Sequence, residues 1–259
     1  MRKMSMFDLR MPTPAELKER YRPWAEMIEP LLLDKWSTEL MALSIPTTFV
    51  EFPKALITPL FEPRDDFREF ADLAAEIDQH LGFKNHFFRL NSRSPKDGPW
   101  PLLLPITCSG KQIIQVLACS ERMMEDLHKF SHTDLTPMIC LRRQEVSLRP
   151  EMELRCFVKG GQLLAVAEYG HQPIFAAPRE ADAAIREAAE RYVLDVVGPH
   201  LPLDTVVVDI WCKGAGFGLV EINPYGFSDP VGAISYDAIE AGIEGIARHA
   251  PVNAVRKVA

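Results

Sequence analysis

The stretch TVVVDIWCKGAGFGLVEIN, from Thr205 to Asn223, consists of two apolar runs separated by a glycine-rich segment. Two runs of this kind around a short glycine-containing connection predict antiparallel strands joined as a hairpin. The second strand nevertheless carries a carboxylate at Glu221 and a carboxamide at Asn223. Because side chains alternate between the faces of a strand, both polar groups point to the same side.

The register of this hairpin decides whether the polar groups form a site. If the turn is centred on Ala215, Asp209 lies directly opposite Glu221, on the face that also carries Asn223. Two carboxylates at that distance repel each other, so removing one should relieve repulsion unless a cation neutralises both. A hard divalent cation takes oxygen ligands of this kind, which makes Asp209, Glu221 and Asn223 the predicted metal ligands. The alternative at this point is two exposed strand faces with scattered polar residues.

The composition restricts the classes of protein that fit. The chain has 259 residues, of which 47% are hydrophobic and 25% charged, as in an ordinary globular protein with a sizeable core. The formal net charge of −7 argues against general nucleic-acid binding. No apolar run approaches the ~18 residues that span a membrane, and no signal peptide is recognisable, so a cytoplasmic location is expected. The five scattered cysteines indicate reduced thiols.

Basic side chains occur in two segments that precede the hairpin. The stretch ICLRRQEVSLRPEMELRCFVKGGQLLAVAEY, residues 139–169, contains four arginines, and alternation places Glu153 and Arg155 on one strand face. In FFRLNSRSPKDGPW, residues 87–100, Arg89 precedes a loop that contains Lys96. Such groups beside a carboxylate metal site suit the phosphates of a nucleotide with its magnesium. Surface salt bridges are the alternative, and the loop matches neither a Walker A nor a GxGxxG pattern.

The remaining periodicities predict a mixed α+β chain. Apolar residues at spacings of three and four predict helices over residues 14–45, 66–81, 110–130, 179–197 and 233–249. Short strands are expected at TTFVEF, HFFRLN and PMICLRR, in addition to the two hairpins of the second half.

Three segments in this order resemble an ATP-grasp protein, and most closely the cell division cycle protein 123 family. They are FFRLNSRSPKDGPW, the stretch over residues 139–169 and VVVDIWCKGAGFGLVEINPYGFSDP, which together span roughly residues 66–236. The resemblance implies an α+β, ATP-grasp-like fold with two antiparallel-sheet lobes and flanking helices that hold a nucleotide between them. The expected division is an N-terminal helical and extended region (1–65), a small lobe (66–137) and a large lobe with the metal site (138–259).

Carried over by position, the resemblance implies ATP and Mg²⁺ as cofactors. Its metal ligands are Asp209, Glu221 and Asn223, the three residues that the hairpin register selects. The main chain of residues 138–143 would meet the adenine, and Glu153 would meet the ribose. The full set of residues expected to bind the nucleotide is Arg89, Lys96, Cys140, Leu141, Arg142, Arg143, Glu153 and Arg155. The family usually has lysine at Arg89 and Arg143, and aspartate at Glu221.

Two functions follow from the resemblance. The main expectation is an ATP-dependent ligase or phosphoryl-transfer enzyme, with Arg89 and Arg155 as catalytic side chains and an unidentified protein or small molecule as substrate. The alternative is a nucleotide-dependent assembly chaperone, as eukaryotic members of the family are for a translation initiation factor 2 complex. No membrane partner and no general nucleic-acid partner is expected.

Overall fold

A computed structural model describes residues 12–62, 67–82, 85–97, 109–148, 152–168, 179–213, 216–230 and 235–241. The helices are α1 (Pro14–Ile28), α2 (Thr38–Leu43), α3 (Ile57–Phe61), α4 (Ala71–Leu81), α5 (Gly110–Cys119), α6 (Glu121–Ser131), α7 (Arg179–Arg191) and α8 (Tyr236–Glu240). The strands are β1 (Thr47–Glu51), β2 (His86–Leu90), β3 (Met138–Arg143), β4 (Glu153–Lys159), β5 (Gln162–Glu168), β6 (Val206–Lys213) and β7 (Gly216–Pro224). Among these residues, no helix is long and apolar enough to cross a bilayer.

Capping side chains set several helix boundaries that the apolar periodicity does not reveal. Thr13 and Ser109 each begin a helix in a capping box, completed by Glu16 and Gln112. Ser120 caps α6 and therefore splits the predicted helix over residues 110–130 into α5 and α6.

The other predicted helices differ at their ends or are interrupted. The predicted helix over residues 14–45 is interrupted by 3₁₀ turns between α1 and α2, and the helix predicted from residue 66 begins as a 3₁₀ turn at Arg68–Phe70. Helix α7 ends in a π-helical segment, Tyr192–Val197. The predicted helix over residues 233–249 is described only as α8, and its remainder lies outside the described residues.

Strands β1, β3 and β2 form an antiparallel sheet in that order, called the small sheet below. Its central strand, β3, pairs with β1 on one edge and with β2 on the other. One face packs against the helices in an apolar core that includes Leu90, Ile139, Leu141, Ile77 and Leu117. Since side chains alternate along a strand, Arg89, Cys140 and Arg142 lie on the opposite face.

Strands β5, β4, β6 and β7 form a four-stranded antiparallel sheet, called the large sheet below. The apolar side chains of one face, such as Cys156, Val208 and Ile210, lie in a second core with residues of α2 and of the segment that follows α7. Cys140 of β3 belongs to this core as well, so the Arg89 face of the small sheet meets the large sheet. The other face of the large sheet carries Arg155 and Asp209.

The predicted pairing of Asp209 with Glu221 is confirmed, but the register of the ladder at Lys213 and Gly216 differs from the expected one. Lys213 pairs with Gly216, whereas a turn centred on Ala215 would pair it with Phe217. A bulge restores the register, because Ile210 pairs with Leu219 and Asp209 with Glu221, which leaves Val220 without a partner in the ladder. Near this bulge Gly218 makes room for Trp211, since a Cβ at Gly218 would lie 2.0 Å from the indole ring.

The small sheet combines strands from all three predicted regions of the chain, whereas the strands of the large sheet all lie within residues 138–259. The small sheet takes β1 from the expected N-terminal region and β3 from the expected large lobe. Strand β2 alone comes from the expected small lobe. Strand alternation within one segment does not reveal which distant segment pairs with it, and this explains the difference.

Candidate functional site

Charged side chains converge where the small sheet meets the large sheet. Arg89 comes from β2, Arg155 from β4, Asp209 from β6 and Glu221 from β7. Each of the four residues is between 0% and 8% exposed. Charges at this depth require partners, because a protein interior solvates an isolated ion poorly. Together with Lys96, Glu153 and Asn223 they form what is called the charged cluster below.

Arg155 and Asp209 form a two-pronged ion pair across the β4–β6 ladder. Nε of Arg155 donates to Oδ1 of Asp209 at 2.8 Å, and Nη2 donates to Oδ2 at 2.7 Å. The remaining guanidinium nitrogen, Nη1, donates to the main-chain carbonyl of Asp229, after the end of β7. Forked, charge-assisted bonds of this type are among the strongest hydrogen bonds in proteins, and they orient both side chains.

Glu221 faces three cations. Nη1 of Arg89 donates to Oε2 of Glu221 and so links the small sheet to the large sheet. The Lys96 ammonium lies 3.9 Å from Oε1, and Nη2 of Arg155 lies 4.0 Å from it. Burial raises the pKa of Glu221, but the charges of Arg89, Lys96 and Arg155 outweigh burial and hold the pKa well below its usual range. Glu221 is therefore ionised at neutral pH.

The other carboxyl groups of the cluster are harder to ionise. Burial raises the pKa of Asp209 to about 6, with the charge and hydrogen bonds of Arg155 acting against it. Burial, followed by the negative charges of Asp209 and Glu221, raises the pKa of Glu153 to about 8. Nδ2 of Asn223 donates to Oδ2 of Asp209 at 3.1 Å, and its amide oxygen is an acceptor. Glu153 therefore keeps its proton at neutral pH, whereas Glu221 does not.

The loop after β2 is fastened on both sides of Lys96. Before it, Arg93 donates from Nε to Oδ2 of Asp126 at 2.9 Å, and its Nη2 lies 2.7 Å from Oδ1. After it, Asp97 accepts a 2.6 Å hydrogen bond from the Ser120 hydroxyl and a 3.0 Å bond from a main-chain N–H in the first turn of α6. These contacts hold the described part of the loop, residues 91–97, against α6. Its remaining residues, and Arg149 of the arginine-containing segment, lie outside the described residues.

The structure places the predicted adenine-binding strand differently from its expected position. Strand β3 pairs along both edges, so it does not present the free main-chain edge that the predicted adenine contact requires. Cys140 and Arg142 point towards the large sheet, whereas Leu141 lies in the core of the small sheet. Burial raises the pKa of the Cys140 thiol to about 12. Arg143 is exposed and lines a separate cavity of about 420 Å³.

Seven of the predicted site residues therefore meet in one place: Arg89, Lys96, Glu153, Arg155, Asp209, Glu221 and Asn223. Cys140, Leu141 and Arg143 do not contribute side chains to the charged cluster. Among the described residues, no three His, Cys, Asp or Glu side chains form a cluster suited to a metal ion. The predicted ligand set has two carboxylates and one amide oxygen instead.

Two side chains that contact β7 were not predicted as such from the sequence. Arg142 was expected to contribute its main chain, yet its guanidinium reaches the carbonyl of Val220 at 2.8 Å. Ser44 donates to the carbonyl of Leu219 at 2.7 Å. The only sequence signal for Arg142 is a charge within an apolar strand. Ser44 has no signal, because it lies 175 residues from its partner.

Comparisons with known proteins agree on one family. The sequence model of the D123 family matches residues 59–247. The translation initiation factor eIF2 assembly protein of Dictyostelium discoideum is 27% identical over 168 residues, which are 61% of this chain and 44% of that protein. The cell division cycle protein 123 of Eremothecium gossypii is 26% identical over 178 residues, 64% of this chain and 49% of that protein. The chain thus spans about half the length of these curated relatives.

A solved structure shows the same fold. Cdc123 from Schizosaccharomyces pombe superposes with a TM-score of 0.69 at 20% identity, over 83% of this chain and 92% of that chain. The predicted α+β fold, with two antiparallel sheets and flanking helices, is confirmed.

The main functional expectation is wrong. The family match and the assembly-protein relative favour the alternative, an assembly chaperone, over a ligase or phosphoryl-transfer enzyme. The catalytic role predicted for Arg89 and Arg155 belongs to that expectation, and their predicted role in binding a nucleotide does not depend on it. The basic side chains and the strand carboxylates were interpreted as groups for phosphoryl chemistry, but the same groups equally suit a protein that binds a nucleotide without transferring its phosphate.

Proposed function

The chain belongs to the D123 family, and from that membership we propose that it is an ATP- and magnesium-binding assembly chaperone, in which the nucleotide stabilises a surface for a protein partner. One observation carries the proposal: Arg89 of the small sheet and Glu221 of the large sheet are joined within the charged cluster. A ligand that binds there contacts both sheets, so it can fix their relative position.

The basic side chains support the nucleotide. Arg89, Lys96 and Arg155 surround Glu221, and their positive charges attract phosphate oxygens. Lys96 is the most exposed of the three, with 36% of its side chain accessible, and it comes from a fastened loop. In the proposed complex these groups hold the triphosphate.

The carboxylates support magnesium, and the donor set fits the ion. Asp209, Glu221 and Asn223 offer hard oxygen atoms on adjacent strands, which is the ligand chemistry that Mg²⁺ prefers. Burial and the repulsion by Asp209 and Glu221 raise the pKa of Glu153, so these carboxyl groups lie close enough to act on one another. A bound divalent cation would reduce that repulsion and neutralise part of the charge of the phosphates. Asp209, Glu221 and Asn223 are the proposed ligands, with Glu153 beside them.

The partner is proposed from the relatives. The Dictyostelium relative is named an assembly protein for translation initiation factor eIF2. We propose a protein partner of that kind for this chain, which binds more tightly when MgATP holds the two sheets together. Immobilised protein incubated with purified eIF2, in MgATP or in EDTA, tests this step. Retention of eIF2 that MgATP increases is the expected result, and equal or absent retention in both buffers would contradict it.

Nucleotide binding is tested separately by calorimetric titration and by thermal melting. MgATP should raise the melting temperature by mass action, and EDTA should abolish the shift. GTP and ADP serve as comparison ligands. A melting temperature that no nucleotide changes in the presence of magnesium would exclude the nucleotide from the proposal, whatever the partner experiment shows.

A further inference from the structure

A buried arginine outside the charged cluster points to a positioning device for the metal ligands. Arg142 is 1% exposed, yet the described residues include no carboxylate that hydrogen-bonds to its guanidinium. Instead, Nη1 donates to the carbonyl of Val220 at 2.8 Å and Nη2 donates to the hydroxyl of Ser44 at 2.8 Å. Burying a guanidinium without a carboxylate partner costs free energy, so its placement calls for an explanation.

The partner of Arg142 is the unpaired residue of the bulge. Val220 has no partner in the β6–β7 ladder, and β7 is the edge strand of the large sheet. Main-chain carbonyls that are shielded from water need a hydrogen-bond donor. Arg142 provides one at Val220, and Ser44 donates to the preceding carbonyl, of Leu219, at 2.7 Å. The two side chains also contact each other, so they bind the bulge as a unit, called the Arg142–Ser44 clamp below.

The bulge determines which face Glu221 occupies. From Lys213 to Ile210 the ladder is regular, and without the extra residue it would continue with Val220 opposite Asp209. Glu221 would then lie opposite Val208, in the apolar core, and Asn223 would follow it to that face. With the bulge, Glu221 lies opposite Asp209 and Asn223 opposite Val207. The ligand face therefore depends on one inserted residue.

We propose that Arg142 and Ser44 are positioning residues, which hold the Val220 bulge and thereby keep Glu221 and Asn223 beside Asp209 for the metal ion. This inference rests on the proposed magnesium and nucleotide site. Arg142 acts through the main chain of β7 and contacts neither nucleotide nor metal. Bulges next to functional sites commonly redirect side chains in this way, and outer contacts of metal ligands affect affinity strongly.

The first test measures MgATP affinity in Arg142→Met by calorimetry. The expected loss is roughly 10–100-fold, the range typical for residues that support metal ligands. Arg191→Met is the matched control, because Arg191 is exposed on α7, forms an ion pair only with Glu187 among the described residues, and lies outside the cluster. Arg142→Lys keeps the charge but not the forked geometry, so it should recover only part of the affinity. Full recovery by lysine, or no loss with methionine, would overturn the proposal.

Ser44→Ala keeps the test informative if Arg142→Met does not fold. It should weaken MgATP binding several-fold, and the loss in the double variant should be less than the product of the two single losses, because both residues hold the same strand segment. Deletion of Val220 adds a sharper comparison. A regular ladder then places the glutamate opposite Asp209 without a bulge, so Arg142→Met should cost little affinity in that background. Equal costs with and without Val220 would show that Arg142 acts by its charge.

A measurement without nucleotide separates this inference from the proposed function. Hydrogen exchange in EDTA should show that Arg142→Met or Ser44→Ala deprotects the β7 amides around the bulge, from Leu219 to Ile222, more than those at Gly216–Gly218. Unchanged protection around the bulge would overturn the clamp even if MgATP binds. Deprotection in a protein whose wild type binds no nucleotide would support the clamp and contradict the proposed function.

Discussion

The two faces of the large sheet are built from alternate residues of the same strands, yet they differ in kind. On one face Cys156, Val208 and Ile210 pack in an apolar core. On the other, Arg155 and Asp209 form a buried ion pair one residue away. The charged face also carries buried apolar side chains, among them Phe157 and Val207. Its charged positions, in contrast, contribute to stability only while their charges remain paired.

The largest expected effect is that of replacing Asp209, which lies on the charged face. Asp209→Ala leaves the Arg155 guanidinium buried without its carboxylate, so the free energy of unfolding should fall by about 3–5 kcal/mol. Magnesium-dependent nucleotide binding should be lost as well. Urea denaturation and calorimetry measure the two effects. The control Asp209→Leu/Arg155→Met should regain much of the stability without regaining binding, because it removes both charges. If Asp209→Ala were as stable as wild type, the stability of the fold would not depend on the pairing of Arg155 with Asp209.

The expected loss of stability in Asp209→Ala is opposite in sign to the change that the sequence alone suggests. Read alone, the β6–β7 hairpin brings two carboxylates together, so removing one should relieve repulsion. The sequence does not reveal that Arg155 faces Asp209 from β4, because the β4–β6 pairing joins segments about 50 residues apart. Local alternation predicts which residues share a face of one strand. It does not predict which strand lies alongside.

The register of the hairpin shows the same limit at shorter range. The pair Asp209 and Glu221 was predicted correctly from a turn centred on Ala215, whereas the ladder near the turn is offset by one residue and the Val220 bulge compensates. The bulge depends on Arg142 and Ser44, whose positions follow from the packing of the two sheets. Strand alternation and the family resemblance therefore predict the seven residues of the charged cluster. They do not predict the contacts that hold these residues in place.

The next prediction uses pH to probe the charged face. The pKa of Glu153 is raised to about 8 in the folded chain, first by burial and then by Asp209 and Glu221. A carboxyl group with a raised folded pKa contributes stability that is fully present below its unfolded pKa of about 4.5 and is lost as pH rises through 8. Between pH 5 and pH 8, wild type should therefore lose roughly 1–3 kcal/mol relative to Glu153→Gln.

Denaturation in EDTA at several pH values measures this difference. Glu187→Gln is the control, because the Glu187 side chain on α7 is exposed and lies away from the charged cluster. Parallel pH curves for wild type and Glu153→Gln would mean that Glu153 ionises as an ordinary surface carboxylate, and that burial and the neighbouring carboxylates do not raise its pKa.

A smaller effect is expected on the apolar face. Ile210→Val removes one buried methylene group next to Asp209 in sequence but on the opposite face, and should cost about 0.5–1.5 kcal/mol of unfolding free energy. MgATP affinity should not change, because the side chain points away from the charged cluster. Denaturation and calorimetry on one preparation provide both values. A loss of affinity comparable to that of a ligand variant would mean that the two faces are not separable.

The smallest expected change in stability lies at the rim of the charged face. Lys96 approaches Glu221 at 3.9 Å but is partly exposed, and surface ion pairs contribute little. Lys96→Met should therefore alter the free energy of unfolding by less than about 0.5 kcal/mol. The affinity for MgATP should fall several-fold, and the remaining affinity should depend less on salt.

Lys159→Met is the matched control, since Lys159 is similarly exposed and pairs with Glu240 away from the cluster. Both variants should melt like wild type, and only Lys96→Met should weaken binding. Equal affinities in the two variants would mean that only the arginines bind the phosphates. The loop after β2 would then attach the end of that strand to α6 without contributing to nucleotide binding.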